Sequence, residues 1–233
     1  AFYARAMDEI RMSDERWRHT SAYIRALFAR EDEVLEGLMT RATAEGLPAI
    51  DAGPESGRML QMLAMMTAAA LAIEAGTLAG VSAIWIARGL APGGRLLSVD
   101  TAAKHQRVAA RDAAAAGVAD RIEFRLGRGS EVLPALIDEV GAGSVDLLFL
   151  DAERREYLPM MPVIKRLLRP RGVLVIDNAL SAGRWIADPY AAGESPDTMD
   201  LVNRAVASDG DFAASTLLPG GNGLLVAGRT PLL

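Results

Sequence analysis

The chain has 233 residues, 51% of them apolar, and its 30 acidic and 25 basic side chains give a net charge of −5. This length favours a single domain with an appendage over two full domains, and the acidic balance argues against a nucleic-acid-binding surface. The absence of cysteine excludes disulfides, thiolate metal sites and cysteine nucleophiles, and it favours a reducing, cytoplasmic location.

The first part of the sequence predicts neither a signal peptide nor a membrane span. Residues 1–19, AFYARAMDEIRMSDERWRH, are charged throughout, which is unlike a signal peptide. The most apolar run, residues 59–73, is too short to span a bilayer and ends at Glu74. We therefore expect a protein that does not contact membranes.

The N-terminal part of the chain is predicted to be helical. Residues 3–45 show helical apolar spacing, and Ser13 is a candidate N-cap followed by two acids that suit the helix dipole. The turn-rich segment 47–57 indicates a boundary. A further helix over GRMLQMLAMMTAA carries methionines that indicate core or a dimer interface: Met59, Met62, Met65 and Met66. We expect residues 1–55 to form a helical extension, acting as a lid or dimer contact, and residues 56–233 to form the main domain.

From residue 70 onward, apolar strands alternate with helices. Five strands are predicted at ALAIEA, RLLSVD, IEFRLG, SVDLLFLD and VLVIDN. The helix in REYLPMMPVIKRLLRPRG is predicted to stop at Pro170, and a last helix in DTMDLVNRAVASDG precedes a hairpin in FAASTLLPGGNGLLVAGR. This order predicts an α/β fold whose parallel sheet is covered on both faces and has an antiparallel edge.

Polar residues follow the predicted strands, at the edge where parallel sheets bind ligands. The five strand ends are Glu74-Ala-Gly76, Asp100, Gly127, Asp151 and Asp177-Asn178. Each acid taken alone is equally well explained as a helix cap. Because four of the five ends carry an acid, the pattern favours a binding site along one rim of the sheet.

The first two strand ends indicate a nucleoside ligand without a pyrophosphate. Gly76 and Gly80 form G-x-x-x-G, and not the G-x-G-x-x-G of dinucleotide-binding proteins, which disfavours a nicotinamide-dependent oxidoreductase. Asp100 lies 24 residues after Gly76 (100 − 76), where an acid accepts hydrogen bonds from ribose hydroxyls. S-Adenosylmethionine (SAM) fits this pattern because it combines a ribose and an adenine with a cationic sulfonium.

Five ordered segments extend this interpretation: IEAGTLAGVSAIWIARGL, GRLLSVD, DLLFLDAERREY, LLRPRGVLVIDNAL and GNGLLVAGR. Over roughly residues 55–229 the chain resembles the cation-dependent O-methyltransferases related to the caffeoyl-coenzyme A and catechol enzymes. The resemblance implies a Rossmann-like class I methyltransferase fold, with a mostly parallel seven-stranded sheet, an antiparallel C-terminal hairpin and N-terminal helices. It also implies SAM as methyl donor, a small hydroxylated acceptor and a homodimer.

The resemblance assigns residues to three roles. The donor-binding positions are Glu74, Gly76, Thr77, Gly80, Ser82, Asp100, Gly129, Ser130, Asp151 and Tyr157. The metal ligands are Asp151, Asp177 and Asn178, and the catalytic positions are Asp151, Arg154 and Asp177. Carboxylate and amide oxygens suit a hard cation, with Mg²⁺ expected first and Mn²⁺ or Ca²⁺ as alternatives. An acceptor with two adjacent hydroxyls could chelate that cation, which would lower the hydroxyl pKa.

Three positions depart from the family pattern. Arg154 replaces the lysine assigned as general base in the catechol enzyme, and a permanently protonated guanidinium cannot accept a proton. It would instead stabilise a phenolate, bind an acidic group of the acceptor or simply lie in solvent. Arg128 stands where many relatives have an acid, and Ser181 replaces an aromatic residue for which Trp185 could substitute. A SAM-binding homologue that has lost turnover therefore stays open as an alternative.

The two histidines are not predicted to be ligands. His105 follows Asp100 on a helix and is expected to be a surface or half-buried residue. His19 belongs to the N-terminal helices, where nothing in the sequence supports a catalytic role.

Overall fold

The computed structural model describes residues 13–180 and 197–231. The α-helices in these residues are α1 Asp14–Phe28, α2 Glu33–Ala44, α3 Gly53–Met66, α4 Val81–Gly89, α5 Ala103–Ala115, α6 Gly129–Val140, α7 Tyr157–Leu167 and α8 Thr198–Ser208. The strands are β1 Leu71–Ala75, β2 Arg95–Asp100, β3 Ile122–Leu126, β4 Val145–Leu150, β5 Leu168–Ile176, β6 Phe212–Leu218 and β7 Leu224–Arg229. The predicted alternation of strands and helices is confirmed.

The seven described strands form one sheet in the order β3-β2-β1-β4-β5-β7-β6. Strands β1 to β5 pair in parallel, whereas β7 runs antiparallel to both β5 and β6. The chain moves outward from β1 to β3 and then returns to β4, so the order reverses between β1 and β4. Ligands bind at the carboxyl ends of such a pair. The predicted seven-stranded sheet with an antiparallel C-terminal hairpin is confirmed.

Both faces of the sheet are covered, because successive side chains of a strand point to opposite faces. In β4, Leu148 and Leu150 join a buried cluster with residues of α6, α7 and α8. Leu147 and Phe149 join a second cluster with residues of α2, α3, α4 and α5. This two-sided burial explains why the central strands are continuous apolar runs, and it leaves the strand ends as the place for polar groups.

Two predicted boundaries differ from the structure. Helix α7 ends at Leu167, and Pro170, predicted to stop it, lies within β5. A residue that precedes proline is disfavoured in the helical conformation, so the chain is already extended at Arg169. Helix α3 begins at Gly53, inside the segment predicted to be turn-rich, and carries Pro54 in its first turn, where no backbone N–H is lost.

Two predictions for the N-terminal helices can also be compared with the structure. The Ser13 hydroxyl accepts a hydrogen bond from the Arg16 N–H at 3.1 Å, which confirms the predicted N-cap of α1. The methionines Met62, Met65 and Met66 of α3 are 46%, 62% and 77% exposed, so they are not core residues. No described helix combines the length and the apolar character that a bilayer span requires.

Candidate active site

A cavity of about 880 Å³ lies at the carboxyl ends of the strands, across the point where the strand order reverses. Its polar walls come from the predicted strand ends, at Gly76, Asp100, Gly127, Asp151 and Asn178. Residues 49–52, between α2 and α3, close it from the N-terminal side together with Met39 of α2. The fold therefore brings the predicted rim and the helical extension to one cavity.

The floor of the cavity rests on a buried carboxyl group. Glu74 has no exposed surface; its two oxygens accept hydrogen bonds from the Ser82 hydroxyl and, at 2.6 Å, from the Ser98 hydroxyl. Burial raises the pKa of Glu74 from 4.5 to about 8, because no water solvates the charged form. Ser82 lines the cavity whereas Glu74 does not, so Glu74 reaches the cavity through the Ser82 hydroxyl.

The two glycines of the first turn fit tightly against other parts of the protein. A Cβ atom on Gly76, whose φ is +105°, would overlap the carbonyl oxygen of Asp151 at the end of β4. A Cβ atom on Gly80 would lie 2.8 Å from the Cβ of Ala109 on α5. Gly76 therefore lets β1 and β4 end side by side, and Gly80 lets α5 pack against the start of α4.

Asp100 ties the ends of β1 and β2 together. Its Oδ2 accepts hydrogen bonds from the backbone N–H groups of Thr77 at 3.1 Å and Leu78 at 2.9 Å. Its Oδ1 accepts from the Ala102 N–H at 2.8 Å and lies 3.0 Å from Nδ1 of His105. The carboxyl group predicted to bind ribose is thus engaged within the protein, and His105 lines the cavity beside it.

The opposite side of the cavity is acidic. The carboxyl group of Asp151 accepts a 2.8 Å hydrogen bond from the Asn178 amide, which in turn accepts one from Asn222 at 3.0 Å. Burial raises the pKa of Asp151. Burial and the nearby charge of Asp151 raise the pKa of Asp177 to about 7. The site thus holds two desolvated carboxyl groups that repel each other and an amide that orients one of them.

Arg154 brings a positive charge to this acidic side. It lines the cavity, and its charge lowers the pKa values of both Asp151 and Asp177. Within residues 13–180 and 197–231 its guanidinium makes no hydrogen bond or ion pair. Arg128, by contrast, is paired with Glu156, so the arginine that replaces the acid of the family pattern is neutralised.

The structure places the predicted site residues in two groups. Those that line the cavity are Gly76, Thr77, Ser82, Asp100, Gly129, Asp151, Arg154 and Asn178. Those that lie behind its surface are Glu74, Gly80, Ser130, Tyr157 and Asp177. Tyr157 is buried, with its hydroxyl bonded to the backbone N–H and carbonyl of Ala152. Ser181, which replaces an aromatic residue of the family pattern, and Trp185, expected as its substitute, lie outside the described residues.

The cavity is also lined by residues outside the predicted site set, including His105, Asp51 and Asn222. His105, expected to be a surface or half-buried residue, is half-buried at the cavity wall, and the available signal is its position five residues after Asp100, in the first turn of α5. Asp51 enters from the loop before α3, and its charge is one of the causes that raise the pKa of Asp177. Asn222 lies in the glycine-rich turn between β6 and β7, which the hairpin prediction treated only as a turn.

The chain is similar to several known proteins in sequence and in fold. A family model described as "O-methyltransferase" matches residues 21–230. A catechol O-methyltransferase of Niastella koreensis is 35% identical over 173 residues, which cover 74% of this chain and 78% of that protein. The crystal structure of an O-methyltransferase from Bacillus cereus in complex with SAH matches with a TM-score of 0.80 and 28% identity over 93% of this chain and 99% of that one. TomG of Streptomyces achromogenes, an O-methyltransferase in complex with SAM, matches with a TM-score of 0.80 and 29% identity over 94% and 100%.

Proposed function

The chain belongs to the O-methyltransferase family and is a SAM-dependent O-methyltransferase, and we propose that it methylates a small aromatic acceptor with two adjacent hydroxyls, assisted by a divalent cation. The family resemblance to the caffeoyl-coenzyme A and catechol enzymes is confirmed by these relatives. The observation that carries the proposal is the pair of desolvated carboxyl groups, Asp151 and Asp177, beside the cavity.

The residues at this position fit a hard cation. Burial and mutual repulsion disfavour the charged forms of Asp151 and Asp177. A divalent cation between them would stabilise both carboxylates. Among the described residues no group of three or more acidic, histidine or cysteine side chains could hold a metal, so a cation would depend on Asp151, Asp177, the Asn178 amide and water. Mg²⁺ suits such a donor set best, with Mn²⁺ and Ca²⁺ as alternatives.

When bound, the cation would supply Lewis acidity that lowers the pKa of a coordinated hydroxyl. The acceptor oxygen forms its bond to the methyl carbon as the carbon–sulfur bond breaks, and the hydroxyl proton passes to a base. Arg154 cannot be that base, so we assign it the role of stabilising the negative charge that develops on the acceptor oxygen. Asp51, a carboxylate on the acceptor side outside the proposed ligand set, is the group we assign to receive the proton.

The proposal is tested by methyl transfer from SAM to catechol, with resorcinol and phenol as acceptors that lack adjacent hydroxyls. We expect activity on catechol that chelation abolishes and Mg²⁺ restores. The Asp151→Asn and Asp177→Asn variants should lose this activity, and the affinity of Asp177→Asn for SAH, measured calorimetrically, should change by less than about threefold. Full activity after chelation, or equal rates on catechol and resorcinol, would show that the cation or the acceptor class is wrong.

A second candidate is a SAM-binding homologue without turnover, and the replacement of lysine by Arg154 is the observation that favours it. The same measurements separate the two candidates. A wild-type protein that binds SAH but transfers no methyl group to any tested hydroxylated acceptor would support the second candidate.

We also propose that the chain forms a homodimer and that residues 1–55 close the acceptor side of the cavity. The support for a dimer is the apolar surface of α1, which has no buried residue in the monomer. Its exposed apolar side chains are Trp17, Tyr23, Ile24, Leu27 and Phe28. The support for a lid is that Met39 and residues 49–52 line the cavity. The absence of cysteine remains the support for a cytoplasmic location.

A further inference from the structure

We propose that Asn222, in the turn between β6 and β7, is a positioning residue of the cation site, and that its side-chain amide turns over together with that of Asn178 when a cation binds. This inference rests on the cation proposed above, and it adds a residue outside the ligand set of Asp151, Asp177 and Asn178. The geometry that points to it is a chain of hydrogen bonds from Asp151 through Asn178 to Asn222.

The two ends of the Asn178 amide are assigned by its neighbours. A carboxylate only accepts hydrogen bonds, so the atom of Asn178 that lies 2.8 Å from Oδ1 of Asp151 is the amide nitrogen. The amide oxygen then points toward Asn222, whose nitrogen donates to it at 3.0 Å. An amide NH₂ group has no acceptor capacity, so a cation shared by Asp151 and Asn178 would meet hydrogens. Asn178 must therefore turn its amide to present the oxygen.

The backbone on both sides of this amide pair is held in place, so the side-chain amides are the parts that turn. The N–H groups of Ala179 and Leu180 donate to the carbonyl oxygens of Gly223 and Asn222 at 2.9 and 2.7 Å. A Cβ atom on Gly223 would lie 2.5 Å from Cγ of Leu180, so the turn packs closely on the segment after Asn178. Rotation about the last side-chain bond of Asn, which has a broad torsional profile, exchanges the amide ends without moving this backbone.

Asparagine at position 222 can pair with Asn178 in both orientations. While the Asn178 nitrogen faces Asp151, Asn222 donates to the Asn178 oxygen. After both amides turn, the Asn178 nitrogen donates to the oxygen of Asn222, to which no described residue donates. Asn222 lines the cavity and would thus orient a cation ligand from outside the ligand set. An aspartate at this position only accepts hydrogen bonds, so it would favour the orientation that presents the Asn178 oxygen to the cation.

Two neighbouring positions provide controls. The amide of Asn203 on α8 donates at 2.8 Å to the carbonyl oxygen of Ala179, so it holds the same segment through the backbone and not through the Asn178 amide. Gly221 precedes Asn222 in the turn, and a Cβ atom there would meet no other atom within 4 Å. Its φ of +57° is one that aspartate tolerates. Gly221→Asp therefore adds the same charge to the turn as Asn222→Asp, without replacing the amide that pairs with Asn178.

The test measures Mn²⁺ affinity from the EPR signal of free Mn²⁺ at saturating SAH, which needs no methyl transfer. We expect Asn222→Asp to bind Mn²⁺ about tenfold more tightly than wild type, and Gly221→Asp to differ from wild type by less than about threefold. Asn222→Leu removes one hydrogen bond from each orientation, so its affinity, like that of Asn203→Ala, should stay within about threefold of wild type. In NMR spectra, Mg²⁺ should shift the side-chain NH₂ signals of Asn178 and Asn222 together.

Three outcomes overturn the role of Asn222. The first is an Asn222→Asp variant that binds Mn²⁺ no more tightly than Gly221→Asp, which would leave charge as the cause. The second is an Asn222→Leu variant that binds Mn²⁺ at least about tenfold more weakly than wild type, which would show that Asn222 supports one orientation only. The third is an Asn222 NH₂ signal that Mg²⁺ leaves unchanged.

Failure of the proposed cation itself gives a different result. A wild type that binds neither Mn²⁺ nor Mg²⁺ with SAH present would contradict the cation at Asp151 and Asp177, and the inference about Asn222 with it. Because Asn222 is exposed, the thermal unfolding midpoint of each Asn222 variant should stay within a few degrees of wild type, which separates changed binding from changed folding.

Discussion

The hydroxyl of Ser98 donates a 2.6 Å hydrogen bond to the carboxyl group of Glu74, which has no exposed surface. The second oxygen of Glu74 accepts a hydrogen bond from Ser82, so two hydroxyls stabilise this group. Because desolvation outweighs the two hydrogen bonds, Glu74 holds its proton up to about pH 8. This buried acid lies behind Ser82, which lines the cavity.

The first prediction concerns the pH dependence of folding. The pKa of Glu74 is about 8 in the folded protein and near 4.5 when the chain is unfolded. The stability that the protonated group contributes is therefore complete below pH 4.5 and is lost as the pH rises to about 8. Urea unfolding of the ligand-free protein should show wild type losing stability relative to Glu74→Gln across this range, with about 1.4 kcal/mol for each unit of pKa difference. The exposed Glu131→Gln variant is the control; parallel curves for wild type and Glu74→Gln would contradict the prediction.

The second prediction concerns Gly76. Alanine at this position would overlap the Asp151 carbonyl and would adopt a positive φ, so Gly76→Ala should destabilise the protein by roughly 2–4 kcal/mol. Gly141 has a similar φ of +89°, and a Cβ atom there would meet no other atom within 4 Å. Gly141→Ala therefore isolates the backbone strain and should cost about 1–3 kcal/mol, less than Gly76→Ala. Equal losses for the two variants in urea unfolding would show that the contact with β4 carries no energetic weight.

The third prediction concerns cation binding to the folded protein. If Asp151 and Asp177 hold a cation, Mg²⁺ at ten times its dissociation constant stabilises the folded state by about 1.4 kcal/mol. The thermal unfolding midpoint of wild type should therefore rise with Mg²⁺ concentration, and that of Asp177→Asn should not. Without Mg²⁺, Asp177→Asn should be at least as stable as wild type, because it removes one of two repelling buried carboxyl groups. A midpoint that is independent of Mg²⁺ in wild type would contradict the proposed site.

The strand ends could be predicted from the sequence because each one follows an apolar strand, and parallel strands share one carboxyl edge. Asp151 and Asn178 meet across β4 and β5 for this reason. Glu74 and Ala75 are neighbours in β1, so their side chains point to opposite faces of the sheet. The pattern could identify Glu74 as part of the site, but it could not show that Ser82 lies between it and the cavity.

The remaining differences come from contacts between distant segments. Asp51 reaches the cavity because α2 and α3 pack on the sheet, and no local pattern encodes where the loop between them lies. His105 lines the cavity because the connection after β2 brings its Nδ1 within 3.0 Å of Asp100, a contact that helical spacing alone does not reveal. The end of α7 was placed at Pro170, although strand pairing of Leu168 with Val145 extends the chain two residues earlier.

The fourth prediction concerns proton transfer from the acceptor. Arg154→Lys introduces a group that can lose its proton, so the rate on catechol at pH 9 should rise on the order of tenfold, below the roughly 10²–10⁴-fold effect of an optimised general base. Asp51→Asn should lower kcat by at least about tenfold while SAH affinity stays unchanged, because Asp51 lines the cavity and its charge acts on Asp177, one of the two carboxyl groups proposed to hold the cation. Glu153→Gln removes another cavity carboxyl group and serves as the control. An unchanged kcat in Asp51→Asn would show that another base, such as solvent, takes the hydroxyl proton.

The fifth prediction concerns the apolar surface of α1. Leu27 and Phe28 are 55% and 63% exposed in the monomer, and a contiguous apolar surface of this kind is typical of an interface. Light scattering after size exclusion should give about twice the 24.7 kDa of the chain for wild type. Phe28→Glu would bury a charge in that interface, so it should shift the protein toward the monomer. Leu201 on α8 is 42% exposed away from α1, so Leu201→Glu is the matched control and should leave the dimer intact. A monomeric wild type, or a Phe28→Glu variant that remains dimeric at micromolar concentration, would remove α1 from the proposed interface.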